Sequence, residues 1–187
     1  MPNNFFIALL HYPVYNKNKE ITATAIFNYD IHDISRVSKT YGINKFFIVQ
    51  PIEKQLEFGK KILYHWTEDW GSTYNPKRKE ALSNVFIKKS LDEVILEIEA
   101  EFSVKPKVIV TDAKKFDNTI SYRKLKGLVK RKPKVPFLLI FGTGWGLTEE
   151  FIRGCDFVLE PVYGEGSYNH LSVRSAASII LDRLFGR

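Results

Sequence analysis

The chain has 187 residues, 44% of them hydrophobic and 26% charged, and a formal net charge of +7. This is the balance of one ordinary globular domain, residues 1–187, and it excludes a disordered chain. The start Met1-Pro2-Asn3-Asn4 has no basic segment, and the apolar run after it is too short for a signal-peptide core or a membrane span.

In chain order, Phe5–Leu10 reads as the first strand, being short, apolar and β-rich. Asp30-Ile31-His32-Asp33-Ile34-Ser35-Arg36 opens a helix whose apolar face is Ile31, Ile34, Val37 and Tyr41, and Gly42 is placed to end it. Asp30 or Asp33 can cap that helix. Arg36 lies on its polar side, where a guanidinium can hold a phosphate or a carboxylate. Phe46–Val49 is the second strand, and Ile52, Leu56, Ile62, Leu63 and Trp66 space a second helix. Val85–Ile87 follows as a strand. Ser90-Leu91-Asp92-Glu93 is a capping box for a helix packed through Leu91, Val94, Ile95 and Ile98. After the strand Val108–Thr111, Tyr122, Leu125, Leu128 and Val129 form the next helical stripe. The strand Phe137–Phe141, a short helix from Thr148 to about Arg153, and the strand Phe157–Leu159 come next. A last helix starts near Ser172 and packs through Val173, Ala176, Ala177, Ile180, Leu181 and Leu184, with Asn169 or Ser172 as its cap.

Six strands, apolar on both faces and alternating with helices, predict an α/β fold with a parallel six-stranded sheet covered by helices. Ligands of such sheets bind at the carboxyl ends of strands. The loops after Thr111, Phe141 and Leu159 are therefore the ones to inspect.

Charge is unevenly distributed. Residues 105–134 hold eleven Lys and Arg against Asp112 and Asp117, a local charge of +9, which leaves −2 on the rest of the chain. A basic stretch on a near-neutral body points to a polyanion, most simply nucleic acid, although a solvated lysine-rich face gives the same pattern. The single Cys155 cannot form an internal disulfide, which together with the absence of a signal segment is read as a cytoplasmic protein. His11, His32, His65 and His170 have no metal-ligand spacing, so no metal site is expected.

The strand Phe137–Phe141 runs directly into Gly142-Thr143-Gly144-Trp145-Gly146-Leu147. Alternate glycines leave the main chain open to a ligand, or simply make a tight turn. The spacing G-x-G-x-G is not that of a dinucleotide fingerprint, and no Gly-Lys-Ser/Thr follows to make a phosphate loop. Val158-Leu159-Glu160-Pro161-Val162 ends the next strand, where Pro161 stops the ladder and exposes backbone groups. The polar, aromatic segment Tyr163–Tyr168 then leads to Asn169-His170-Leu171-Ser172-Val173-Arg174, a cluster larger than capping requires.

Three of these segments, in this order, resemble the motifs of the SPOUT, or α/β-knot, RNA methyltransferases. They are Asp30–Arg36 with Gly42, Leu139–Leu147, and Leu159–Val162 through Asn169–Ala177. The chain looks most like a TrmD-like bacterial branch of predicted RNA methyltransferases, along nearly its whole length, except that Asn usually stands where this chain has Asp30. The resemblance implies a C-terminal deep trefoil knot and a homodimer whose sites are completed by the partner chain. It also implies that S-adenosylmethionine (SAM) is held in a bent form by three loops. Carried over, the cofactor residues are Thr111, Asp112, Phe141, Gly142, Gly144, Leu159, Glu160, Pro161 and Val162, with Asn169, Leu171 and Val173 closing the pocket. RNA, either tRNA or rRNA, would be recognised through the basic 105–134 stretch or the dimer groove.

Transfer from a sulfonium is an in-line displacement, so positioning of the acceptor supplies much of the rate. An acceptor ring nitrogen carrying a proton needs a carboxylate, for which Glu165, Asp33 and, less well, Glu160 are candidates. An acceptor that develops negative charge needs a cation, for which Arg36 or Arg174 is placed. Two other readings stay open at this point: a non-catalytic RNA-binding relative, and a SAM-dependent methyltransferase of small molecules. The glycine turn generates one prediction. Gly144→Val abolishes SAM binding while circular dichroism shows a folded chain; unchanged affinity by calorimetry removes the turn from the site.

Overall fold

A computed structural model of the chain describes residues 3–187. The strand β1 (Phe5–Leu10) is buried at every position, because it is paired in parallel on both edges. Its neighbours are β4 (Phe46–Val49) and β8 (Phe137–Gly142), with Ile7 opposite Phe46 on one side and Leu139 on the other. Side chains alternate across a strand, so Phe5, Ile7 and Leu9 enter one apolar layer while Phe6, Ala8 and Leu10 enter the other. The sheet continues through β5 (Val85–Lys88) beyond β4, and through β6 (Lys107–Thr111), β9 (Phe157–Leu159) and β7 (Thr119–Ile120) beyond β8. Its order is β5-β4-β1-β8-β6-β9-β7, and every pairing is parallel.

The parallel sheet covered by helices is as the sequence predicts, but it has seven strands among the described residues, not six. The additional strand, β7, is two residues long and sits at the edge, too short to leave an apolar run. A separate antiparallel pair, β2 (Val14–Tyr15) and β3 (Ile21–Thr22), was also without a sequence signal.

The first layer is covered by α1 (Asn28–Thr40), α2 (Glu53–Thr67), α4 (Pro76–Leu82), α6 (Tyr122–Arg131) and α8 (Val173–Phe185). The second is covered by α5 (Leu91–Phe102) and the short α7 (Glu149–Arg153). Between α2 and α4 lies α3 (Trp70–Tyr74). No helix among the described residues is long and apolar enough to cross a membrane.

Helix ends follow local chemistry. Gly42 adopts φ +66° just after α1, the conformation that stops a helix cheaply with glycine. The Ser90 hydroxyl accepts from the Glu93 amide at 3.3 Å, while the Glu93 carboxylate reaches the Lys89 amide at 3.0 Å, one residue earlier than in a standard capping box. Ser172 caps α8 by accepting from the Ser175 amide at 3.2 Å. Asn169, the other candidate, is engaged elsewhere. Neither Asp30 nor Asp33 caps α1, whose N-cap position is Phe27 with no side-chain cap.

Leu181 of α8 is fully buried between the sheet and its neighbouring helices. Leu181→Ala is expected to cost about 2–5 kcal/mol in urea unfolding, the range for truncating a buried leucine.

Candidate functional site

Because all strands of the main sheet are parallel, their carboxyl ends share one edge, and a cavity of about 870 Å³ opens there. Three loops build it. Thr111 and Asp112 come from the end of β6; Phe141, Gly142 and Gly144 from the end of β8; Leu159, Glu160, Pro161 and Val162 from the end of β9. Asn169, Leu171 and Val173, which lead into α8, line the same space. The twelve positions marked by the sequence motifs are thus brought together around one cavity of the size that holds a cofactor.

The glycine turn is rigid for reasons that differ at each glycine. A Cβ on Gly142 would stand 2.8 Å from Leu147 Cγ. Gly144 has φ +59° and faces the Tyr15 carbonyl and Thr24, each 3.1 Å from where a Cβ would be. Gly146 has φ +97°. The hairpin of β2 and β3 clamps this turn from outside. Tyr15 donates its amide to the Gly146 carbonyl at 2.9 Å and accepts from the Trp145 amide at 3.1 Å. Trp145 itself projects outward, 72% exposed at the cavity rim.

Behind the turn, the imidazole of His11 meets the Thr24 hydroxyl at 2.9 Å, Thr24 bonds to the Thr143 hydroxyl, and Thr143 donates to the Leu10 carbonyl at 3.1 Å. His11 is fully buried, and burial lowers its pKa from 6.5 to about 4. Sequence reading missed both His11 and Thr24. They are not motif residues, and only the pairing of the hairpin with the turn joins them to the site.

The loop after β9 is tied to the loop after β6. Asn169 donates its side-chain amide to the Ala113 carbonyl at 3.1 Å, and the Lys115 ammonium lies 5.7 Å from the centre of the Tyr163 ring. Asp112 accepts from the Lys114 amide at 2.7 Å; burial nevertheless raises its pKa, with that bond opposing. Thr111 donates its hydroxyl to the Ile140 carbonyl at 3.0 Å. The Glu160 carboxylate accepts from the Tyr122 amide at 2.7 Å, which turns it to the start of α6.

Asp30, only 5% exposed, lines the cavity and takes a charge-assisted bond from Arg174 at 2.8 Å. Burial raises its pKa, and the Arg174 guanidinium opposes that shift. The pair joins the first motif to the third. Asp33 stands 3.5 Å from the same guanidinium but belongs to a separate groove between α1 and α8, which Arg36 also lines. Glu165 is exposed in the loop 163–168 and does not line the cavity. Of the charged groups weighed from sequence for a catalytic role, Glu160 and Arg174 line the cavity, and Asp30 joins them there from a position first read as a cap. No group of three His, Cys, Asp or Glu side chains among the described residues is placed to hold a metal ion.

A family model described as SAM-dependent RNA methyltransferase matches residues 4–186. The chain is 42% identical over 184 residues to an uncharacterized protein of Aquifex aeolicus, covering 98% of this chain and 89% of that one. It is also 42% identical over 186 residues to a tRNA (guanine-N(1)-)-methyltransferase of Nitratidesulfovibrio vulgaris; there the match covers 98% of this chain but 42% of the relative. Among solved structures, a probable methylase family protein from Haemophilus influenzae aligns with TM-score 0.62 at 20% identity, over 98% of this chain and 66% of that one. The SpoU methyltransferase AviRb from Streptomyces viridochromogenes aligns with TM-score 0.59 at 15% identity, over 99% and 60%. These likenesses establish a fold shared with SPOUT methyltransferases.

Two predictions follow from this geometry. The positive φ of Gly144 and its contact with the hairpin mean that Gly144→Val lowers the Tm as well as SAM affinity, readable by thermal unfolding beside calorimetry. His11 binds fewer protons folded than unfolded between pH 6.5 and about 4, so its stabilising contribution is complete above pH 6.5 and falls as the pH drops toward 4. Between pH 6.5 and 5 the wild type should lose about 1.5 kcal/mol more than His11→Asn in urea unfolding, since one proton is worth ~1.4 kcal/mol per pH unit and the unfolded imidazole is half protonated at the start. Equal losses in the two proteins remove His11 as the titrating group.

Proposed function

The chain belongs to the family of SAM-dependent RNA methyltransferases, and from that membership we propose that its cavity holds SAM and that the acceptor is a nucleotide of tRNA or rRNA. The observation that carries this reading is the meeting of all twelve motif-derived positions on one cavity. Its lining suits the cofactor. Phe141, Leu147, Leu159, Val162 and Ile180 offer an apolar wall for a purine, the backbone of the glycine turn is open to polar contacts, and the Asp112 carboxylate complements a cation.

When bound, SAM supplies an electrophilic methyl group. The chain supplies position and charge. The loops after β6, β8 and β9 hold the cofactor; the Asn169–Ala113 bond keeps the third loop against the first. Asp30 is placed to take a proton from an acceptor ring nitrogen, and Arg174 to balance the charge beside it. Arg36, in the adjoining groove, serves the backbone phosphate of the acceptor rather than the transfer itself, and Asp33 there faces Arg174. Glu165 reaches the cavity only when the loop 163–168 closes.

Further parts of the reading rest on the family resemblance. The chain acts as a single domain over residues 1–187, supported by the one seven-stranded sheet that takes strands from β1 through β9, apart from the β2–β3 pair. The segment after β9 passes through the preceding loop as a deep trefoil knot, supported by its bond to Ala113 and the return of α8 to the sheet. The protein is a homodimer, supported by exposed Trp145 of the glycine turn and exposed Tyr168 and Leu171 of the third loop, and the cytoplasmic reading rests on the lone Cys155. The acceptor RNA is reached in part through the basic face of α6. Action on tRNA has support from the printed name of the Nitratidesulfovibrio relative, of which this chain spans less than half.

The test is comparative mass spectrometry of modified nucleosides in tRNA and rRNA from cells with and without the gene, alongside SAM titration of the purified protein. One methylated nucleoside is expected to vanish, and to return with the wild-type gene but not with Asp30→Ala. Tight SAM binding with no nucleoside change makes the protein a non-catalytic RNA-binding relative. Methyl incorporation into a small metabolite, insensitive to nuclease, makes it a small-molecule enzyme.

A further inference from the structure

Outside the cavity, the exposed apolar side chains from Phe58 to Tyr74 are all aromatic: Phe58, Tyr64, Trp70 and Tyr74. Trp70 and Tyr74, 62% and 67% exposed, stack on one another with centroids 4.5 Å apart and planes 19° apart. They are not isolated. Trp70 meets His65 at 6.4 Å, His65 meets Trp66 at 5.0 Å, and Trp66 meets His32 of α1 edge-on at 5.5 Å. One turn back along α1 stands Tyr29, which is exposed, lines the cavity, and has the Arg174 guanidinium 6.0 Å from its ring. Exposed rings therefore stand at both ends, Tyr29 at the cavity mouth and Trp70 and Tyr74 on the outer side of α3, with the partly buried His32, Trp66 and His65 between them.

The series is built, not incidental. Gly71 permits it: a Cβ there would lie 2.7 Å from the His65 carbonyl and 2.8 Å from the Trp66 ring. Only glycine lets α3 approach α2 closely enough to set Trp70 beside His65. Asn75 accepts from the Arg78 amide at 3.0 Å, and Pro76 starts α4, which fixes Tyr74 just before a new helix. The α4 helix then places the Arg78 guanidinium 4.5 Å from the centre of the Trp66 ring.

Charge accompanies the rings. Between residues 60 and 80 stand Lys60, Lys61, Lys77, Arg78 and Lys79 against Glu68, Asp69 and Glu80. Glu80 is shared by Lys39 and Lys77, and Asp69 faces His65 at 3.4 Å, which leaves the exposed Lys60, Lys61 and Lys79 outside those pairs. Flat rings with interleaved cations are the chemistry that holds single-stranded nucleic acid, by stacking bases and neutralising phosphates. Resting on the reading of the chain as an RNA methyltransferase, we propose that this aromatic track binds the unpaired RNA that flanks the target nucleotide and leads it to the cavity. The surface lies on the β4 side of α1, away from the basic α6 helix beside α8, so it adds a second and chemically different grip.

The test uses the full chain and a fluorescently labelled short oligouridylate as probe, read by anisotropy. Trp70→Ala/Tyr74→Ala is expected to weaken binding roughly 10- to 100-fold, as base–aromatic stacking is worth about 1–3 kcal/mol per base. SAM affinity and Tm should stay at wild-type values, and Trp70→Phe/Tyr74→Phe should restore binding, since a ring is what the base needs. Wild-type affinity in the double alanine variant overturns the proposal, as does failure of the wild-type protein to bind the probe. A shift from dimer to monomer in sedimentation would instead assign the track to a second copy of the chain. Loss of the nucleoside difference in the mass spectrometry overturns the methyltransferase reading whatever the track binds; intact methylation with unchanged oligouridylate binding in the variant overturns the track alone.

Discussion

The burial of β1 on both edges and both faces is the constraint on which the rest depends. A strand with no exposed side chain must be covered by two helical layers, and its parallel neighbours must be reached by crossovers of similar hand. Every crossover returns the chain to the same end of the sheet. The carboxyl ends of β8, β6 and β9 are then adjacent, and their loops, separated by tens of residues in sequence, have one place to meet. The cavity is a consequence of that packing before it is a consequence of any motif.

Much of the architecture was legible because its signal is local. Continuous apolar runs identified β1, β4, β5, β6, β8 and β9, and helical stripes identified α1, α2, α5, α6 and α8. What was not legible depends on partners distant in sequence. Thr119 and Ile120 become a strand only because β9 lies beside them. Val14–Tyr15 and Ile21–Thr22 pair through a short turn with no long apolar run. The short helices α3 and α4 fall where the pattern of α2 fades, and their boundary is set by Asn75-Pro76, a capping pair visible only once one looks for it.

The site divides along the same line. Positions that contribute backbone or apolar surface were found by motif, since those motifs specify loop shape. The charged groups were harder. Asp30 and Asp33 are three residues apart on one helix and alike in sequence, yet one faces the cavity and the other a groove. What separates them is depth, since Asp30 is buried and Asp33 half exposed, while Arg174, 144 residues away on another helix, reaches both; sequence spacing encodes neither fact. Asp30 of the first motif thus has a partner of opposite charge in the third.

The chain of contacts behind the glycine turn also fixes where a proton resides. Thr143 donates to the Leu10 carbonyl, so it must accept from Thr24, and Thr24 must in turn accept from the imidazole. Nδ1 of His11 is accordingly the protonated nitrogen. The buried Nε2, which has no hydrogen-bond partner among the described residues, carries only a lone pair. The opposite tautomer would bury an Nε2–H with nothing to receive it and leave the Thr24–Thr143 contact with no hydrogen to share. A single oriented wire of donors, rather than any one residue, holds the turn in register with the central strand.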